Sequence, residues 1–146
     1  MSKDRSTRDR SRNEKGDLDM TPDDLLYTEK HEWVKVDGDV ATVGITDYAQ
    51  NQLGDIVYVE FSPVGEKVAR MSSMGTIEAV KAVSDLYAPV TGEIVGVNDA
   101  VATDPSVIKT SPYGDGWMVK LKLEDKSQLD ALLKPEKYRE LTGEQA

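Results

Sequence analysis

The chain has 146 residues, with 27 acids against 18 bases, a formal net charge of −9, one histidine and no cysteine. That length suits a single domain plus a tail. The acidity argues against a phosphate-gripping basic face and so against nucleic acid as a partner, the absence of cysteine removes disulfides and protein thiol chemistry, and one histidine cannot build a histidine metal site.

No run of about 18 apolar residues occurs, so neither a membrane-crossing helix nor a signal-peptide core is expected, and no membrane partner. The expected location is cytoplasmic, or the mitochondrial matrix in a eukaryote, although the acids interleaved near the start do not suit a transit peptide. Residues 1–20 are charged, nearly free of apolar residues and aperiodic, and are expected to form a disordered tail. Residues 21–146 are expected to form the domain.

Taken in order, Thr21-Pro22-Asp23-Asp24 reads as a helix start, with threonine as cap and proline in the first turn. Residues 32–37 alternate towards Asp37-Gly38, a hairpin signal, and 40–45 supply the partner strand. Thr46 caps a helix over 47–53 that Gly54 stops, with Asp47 suited to the positive end of its dipole. Residues 56–61 are largely apolar at both alternations, which predicts a strand buried between layers. Pro63 and Gly65 turn the chain before Lys67-Val68.

The next stretch, from Gly75 to Pro89, reads as two strands with one lysine at the tip. Thr76, Ile77 and Val80 favour extended backbone on the first arm, and Leu86, Tyr87 and Val90 on the second. Lys81 lies between them. Taken by itself it is one more solvated lysine of the kind that guards strand edges.

Further on, 92–97 is a strand whose Gly92-Glu-Ile-Val95 echoes Gly54-Asp-Ile-Val57. Asp104-Pro105 opens a helical turn. Residues 117–123 alternate with Trp117, Val119, Leu121 and Leu123 inward, and Met118, Lys120 and Lys122 outward. Leu129, Leu132 and Leu133 share one face of a helix that Pro135 breaks, with a further helical segment over 136–141. Short strands with Gly and Pro turns predict a mainly β sandwich or flattened barrel. No catalytic constellation is present: Ser84 and Asp85 lie far along the chain from the sole histidine, and there is no phosphate-binding glycine loop.

Four blocks carry a resemblance. Gly75, Ile77-Glu78, Val80-Lys81-Ala82, Ser84-Asp85 and Pro89 resemble the lipoyl-lysine site of the glycine cleavage system H protein family. Tyr27-Thr-Glu-Lys-His-Glu-Trp-Val34 resembles its opening strand, 44–57 its first helix and following strand, and Ser111-Pro-Tyr-Gly-Asp-Gly-Trp117 its late loop. The likeness runs from about Leu25 into the C-terminal helix. It implies a barrel-sandwich hybrid with a protruding lysine hairpin, and lipoic acid in amide linkage on Lys81, with Glu78 and Gly75 as determinants of that modification. The implied role is a non-catalytic carrier. A PLP-dependent glycine decarboxylase would load an aminomethyl group, a folate-dependent aminomethyltransferase would unload it, dihydrolipoyl dehydrogenase would reoxidise the dithiol, and a lipoate ligase or transferase would attach the cofactor. A cleft lined by Glu32 and Asp85, with Lys30 and His31 nearby, would shelter the loaded arm.

The sequence departs from the family at Ala79, where serine is usual, and at Met71-Ser-Ser-Met74, which replaces a glycine and an acidic turn. Other readings stay open. Glu32 also fits a plain exposed strand acid, and Glu78 a solvated one. The fold would also suit a lipoyl or biotinyl domain of another complex, although Val80-Lys81-Ala82 differs from the Asp-Lys-Ala or Met-Lys-Met of those tips. An unmodified H-like protein serving in lipoate transfer, or as a scaffold, would keep the same lysine.

Overall fold

The computed structural model describes residues 22–143. The tail expected over 1–20 and the Thr21 cap lie outside the described residues. The strands are β1 (Leu26–Tyr27), β2 (Glu32–Asp37), β3 (Val40–Ile45), β4 (Ile56–Phe61), β5 (Lys67–Val68), β6 (Ser73–Ala79), β7 (Val83–Tyr87), β8 (Gly92–Val97) and β9 (Val119–Leu123). The helices are α1 (Asp47–Leu53), α2 (Asp99–Thr103), α3 (Ser106–Thr110) and α4 (Pro135–Thr142), with a 3₁₀ turn over Lys126–Ala131. A six-stranded antiparallel sheet runs β1-β2-β3-β9-β8-β5 and a three-stranded one β4-β6-β7. This is the barrel-sandwich arrangement that the resemblance implies, within the mainly β class read from the strands and turns.

The main core forms where the inward alternation of the two sheets meets. Val34, Val43, Leu121 and Ile94 of the large sheet join Val59, Ile77 and Leu86 of the small one in a single buried cluster. Each such side chain contributes roughly 1.5–3 kcal/mol on leaving water. The other face of β2 carries Trp33 into a second cluster with Leu25, Tyr27 and Tyr138. Its indole N–H donates to the Pro112 carbonyl at 2.9 Å. Gly44, the register partner of Trp33 on β3, leaves room for the ring: a Cβ there would lie 2.7 Å from the indole.

Several local expectations hold. The hairpin signalled by Asp37-Gly38 forms, with Asp37 paired to Val40 at the end of β2 and Gly38-Asp39 as the two-residue loop, Gly38 at φ 65°. Thr46 accepts from the Ala49 N–H at 3.1 Å and so caps α1, while Gly54 ends it at φ 79°. Asp104 caps the turn after it by accepting from the Ser106 N–H at 3.2 Å.

Others do not. Asp23 and Asp24 form a turn leading to β1, not a helix. Strand β4 is not sandwiched between layers. It is an edge of the small sheet, with Val57 59 % and Tyr58 49 % exposed and only Val59 fully inside. Met118, expected outward, is completely buried because β9 begins only at Val119. Trp117 is half-buried instead, with the Lys120 ammonium 4.9 Å from its ring. Leu129, Leu132 and Leu133 do not share a helix face. The 3₁₀ turn ends at Ala131, and Leu133 pairs in extended form with Tyr27. Pro135 starts α4, where its missing N–H costs nothing. Helix α2, capped by Asn98, went unanticipated.

The Trp33–Gly44 contact yields a test. Gly44→Ala forces the indole off its site, and overpacking of this kind costs about 1–3 kcal/mol. The urea midpoint should fall accordingly, with the transition slope unchanged; an unshifted midpoint would mean that the ring has slack.

Candidate functional site

Strands β6 and β7 pair over Ser73↔Tyr87, Gly75↔Leu86, Thr76↔Asp85, Ile77↔Ser84 and Glu78↔Val83. The Ala79 N–H donates to the Ala82 carbonyl at 2.8 Å and closes the hairpin, which leaves Val80 and Lys81 as its two tip residues. The Val80 N–H donates to the Asp55 carbonyl at 2.9 Å, tying the tip to the α1–β4 connection. The stem of Lys81 runs past Gly54, where a Cβ would meet its Cδ and Cε at 3.5 Å. The amine is exposed and makes no ion pair among the described residues.

An isolated two-stranded ribbon is marginal in water. Here β4 flanks β6 as a third strand, and Gly75 allows the close fit: a Cβ on it would lie 2.4 Å from the Glu60 carbonyl oxygen. That steric demand is stronger than the relaxed bend that sequence alone allows. A register shift between Ser73 and Gly75 places Met74 as an extra residue whose side chain is fully buried. The unusual Met71-Ser-Ser-Met74 turn is thus accommodated, with Met71 taking a left-handed φ of 74°, a position easiest for glycine. On the solvent side Tyr58, Glu78 and Val83 form one cross-strand row beside the tip. Glu78 is exposed there, three residues before the lysine.

The inner side of the hairpin faces a cavity of about 160 Å³. Ile77 and Ser84 line it from the two arms, Ala49, Gln52 and Leu53 from α1, and Ile45 from β3. Glu32, Asp85, Lys30 and His31 line it as well, so the four residues expected at an arm cleft do come together. Ser84 lies three residues from the tip, about 10 Å along the strand.

Glu32 is 2 % exposed, so the exposed-acid reading does not hold. Its carboxylate accepts from the Thr28 hydroxyl on one oxygen and from the Tyr87 N–H at 3.1 Å on the other. Burial pushes its pKa up to about 7, against the pull of these two hydrogen bonds and of the Lys30 charge. His31 sits at φ 71°, with Nδ1 2.9 Å from the Tyr138 hydroxyl. That hydroxyl also lies 2.6 Å from Thr46 Oγ1, so α4 secures the turn that carries His31 and Glu32. Burial, then Lys30, lowers the His31 pKa and favours the neutral ring.

Asp85 differs from the expected role in direction. Alternation along β7 sets it on the face opposite Ser84, and its carboxylate accepts from Ser73 Oγ at 3.3 Å and Tyr87 Oη at 3.5 Å. It borders the cavity, and its charge is engaged at the outer edge.

The apolar floor from α1 could have been read from the Ala49/Leu53 spacing on one helix face. Tyr87, 55 positions from Glu32, left no such signal. Among the described residues no cluster of His, Cys, Asp and Glu could hold a metal, and no helix is long and apolar enough to cross a membrane.

The family model for the glycine cleavage H-protein matches residues 25–145. A glycine cleavage system H protein of Prosthecochloris aestuarii is 56 % identical over 125 residues, covering 84 % of this chain and 98 % of the relative. One from Carboxydothermus hydrogenoformans is 47 % identical over 128 residues, covering 88 % and 98 %. A crystal structure of a glycine cleavage system H protein from Mycobacterium marinum superposes with a TM-score of 0.75 at 40 % identity, covering 84 % of this chain and 98 % of that one. With an exposed lysine at the hairpin tip and an acid-lined cavity behind it, the chain belongs to the glycine cleavage H-protein family.

Proposed function

We propose that this chain is the lipoyl carrier of a glycine cleavage system, with lipoic acid in amide linkage on Nζ of Lys81 and no catalysis of its own. The observation that carries the reading is the placement of that amine: exposed, without an ion-pair partner among the described residues, at the end of a ribbon braced by a third strand. An acylating enzyme could reach it without disturbing the core. The residues fit the group: acylation removes a charge that no ion pair uses among the described residues, and the cavity behind the hairpin offers an apolar wall and one buried carboxylate. When bound, the lipoyl group supplies a disulfide that takes up an aminomethyl unit and two electrons.

The chain's own residues position and shelter. Gly75 lets β4 brace the ribbon, and Glu78 stands on the exposed row beside the lysine, where a lipoate ligase or transferase would meet it. Tethering raises the effective concentration of the group at each docked partner. Those partners are a PLP-dependent glycine decarboxylase, a folate-dependent aminomethyltransferase and dihydrolipoyl dehydrogenase, in the cytoplasm of a bacterial-type cell. Glu32 offers its carboxylate to the ammonium of the loaded arm, the strong charge-assisted pairing. Lys30 and His31 border the same cavity, and the neutral imidazole adds no repulsion there. Asp85 adds negative field from the rim.

Incubation of the purified chain with a lipoate ligase, ATP and lipoate should add one lipoyl unit to the intact mass, and Lys81→Arg should abolish the gain. An unmodified wild-type mass would defeat the carrier reading. Glu32→Ala should leave that mass gain intact, yet shorten the lifetime of the loaded amine against hydrolysis several-fold; an equal lifetime would remove Glu32 from the sheltering role.

The raised pKa gives a pH signature with a definite sign. Burial keeps the Glu32 proton on the folded chain to about pH 7, whereas an ordinary glutamate carboxyl loses it near 4.5. Between these the native state binds more protons than the unfolded one, so this group's contribution to stability falls as pH rises through the window, by on the order of 3 kcal/mol in all. Glu32→Gln should therefore gain stability relative to wild type as pH goes from 5 to 8 in denaturant titrations. A difference independent of pH would show that Glu32 titrates normally.

A further inference from the structure

A second cavity, of about 240 Å³, lies on the far side of the Thr28–Lys30 turn from the Glu32 cleft. Its apolar wall comes from Leu132 and Leu133 after the 3₁₀ turn, Pro89 after β7, and Met71. Two cations border it, Lys30 and Arg70, against one acid, Glu29. Neither cation forms an ion pair among the described residues, although acids outnumber bases 27 to 18 in the chain. Arg70 is held by its backbone, whose N–H donates to Thr91 Oγ1 at 3.0 Å, which leaves the guanidinium free to meet a ligand. Lys30 Nζ lies 5.8 Å from the Tyr87 ring centroid.

Met71 is the second observation. It lies inside the turn that the Ser72 N–H closes on the Ala69 carbonyl at 3.0 Å, its φ is 74°, and its N–H donates to the Ala88 carbonyl at 2.8 Å. A non-glycine residue held in this region marks a site where the surroundings impose the conformation. Its thioether chain, 46 % exposed, lends the cavity an adaptable apolar side.

We propose that this cavity binds a small amphipathic monocarboxylate. The carboxylate meets Arg70, whose planar fork suits it, with Lys30 as the second charge. The aliphatic part lies along Leu132, Leu133, Pro89 and Met71. Inorganic phosphate or acetate would leave that wall wet, and a neutral alcohol would leave the cations unmatched. At about 240 Å³ the cavity is smaller than the roughly 300–1,000 Å³ of drug-sized ligand pockets, so it admits a short chain only, and octanoate is the probe. The inference shares only Lys30 with the arm cleft and uses neither Lys81 nor the Glu32 carboxylate, so it does not depend on the lipoyl reading.

Octanoate, kept below its micelle concentration, is titrated into the ¹⁵N-labelled, unlipoylated full chain. Saturable shifts are expected at 28–30, 70–71 and 131–133, with acetate and 1-octanol at least tenfold weaker. Arg70→Gln should weaken octanoate at least tenfold while its own lipoylation at Lys81 stays at the wild-type rate. Lys81→Arg should bind octanoate as wild type does, so failure of this site and failure of the carrier reading appear in different variants. Non-saturating shifts, shifts centred on the exposed Val57 and Val80 surface, or equal affinity of octanol or of Arg70→Gln would each overturn the proposal.

Discussion

The arrangement behind the hairpin turns on one buried carboxylate. Glu32 begins β2 of the large sheet, yet one of its oxygens accepts from the N–H of Tyr87 at the end of β7 in the small sheet. Its other oxygen takes the Thr28 hydroxyl, and the Glu32 N–H donates to that same hydroxyl oxygen at 3.2 Å. An unpaired acid at this depth would be costly, and an unsatisfied Tyr87 N–H would be too. Each meets the need of the other. The two sheets are thereby joined by a polar link at the edge where the apolar core thins out, behind the hairpin.

That link explains why the neighbouring turn is so heavily anchored. His31 takes a left-handed φ, and the energy for it comes from outside the turn. The Thr46 N–H donates to the His31 carbonyl at 3.0 Å, the Tyr138 hydroxyl meets the imidazole, and Tyr27 stacks on Tyr138 with centroids 4.6 Å apart. Helix α4 adds an ion pair from Arg139 to Asp23 at 2.6 Å. The aromatic cluster on the outer face of the large sheet thus fixes a carboxylate that faces the inner side of the hairpin.

Local signals in the sequence were legible where the physics is local. Asp37-Gly38, the Thr46 cap and the Gly54 stop each act within a few residues, and each appears as read. The lysine tip was legible because two apolar arms and a Pro bracket it. Strand β4 was misread because two apolar alternations look the same in a central strand and in an edge strand that leaves Val57 and Tyr58 in water. Pro135 was misread because a proline that cannot continue one helix is well placed to begin the next. The burial of Glu32 rests on a partner 55 positions away and leaves no periodic trace, whereas the outward turn of Asp85 follows from its alternation with Ser84 and Leu86 along β7.

The hairpin sets rigidity against mobility. Its base is fixed by Gly75 under the β4 backbone, by buried Met74 and by the Val80–Asp55 hydrogen bond, so that the backbone at the tip has little freedom. Beyond that point only the side chain of Lys81 can move. Val80 and Val83, 72 % and 64 % exposed, contribute nothing to the core, and an apolar surface kept in water beside a free amine favours contact with another protein. A swinging group gains from a fixed pivot, because a pivot that wandered would dilute the group over a larger volume. The same bracing holds Ile77 and Ser84 against α1, which keeps the cavity open behind the pivot. The position of the amine and the existence of a shelter within its reach therefore follow from one cause, the third strand that turns a marginal ribbon into a sheet.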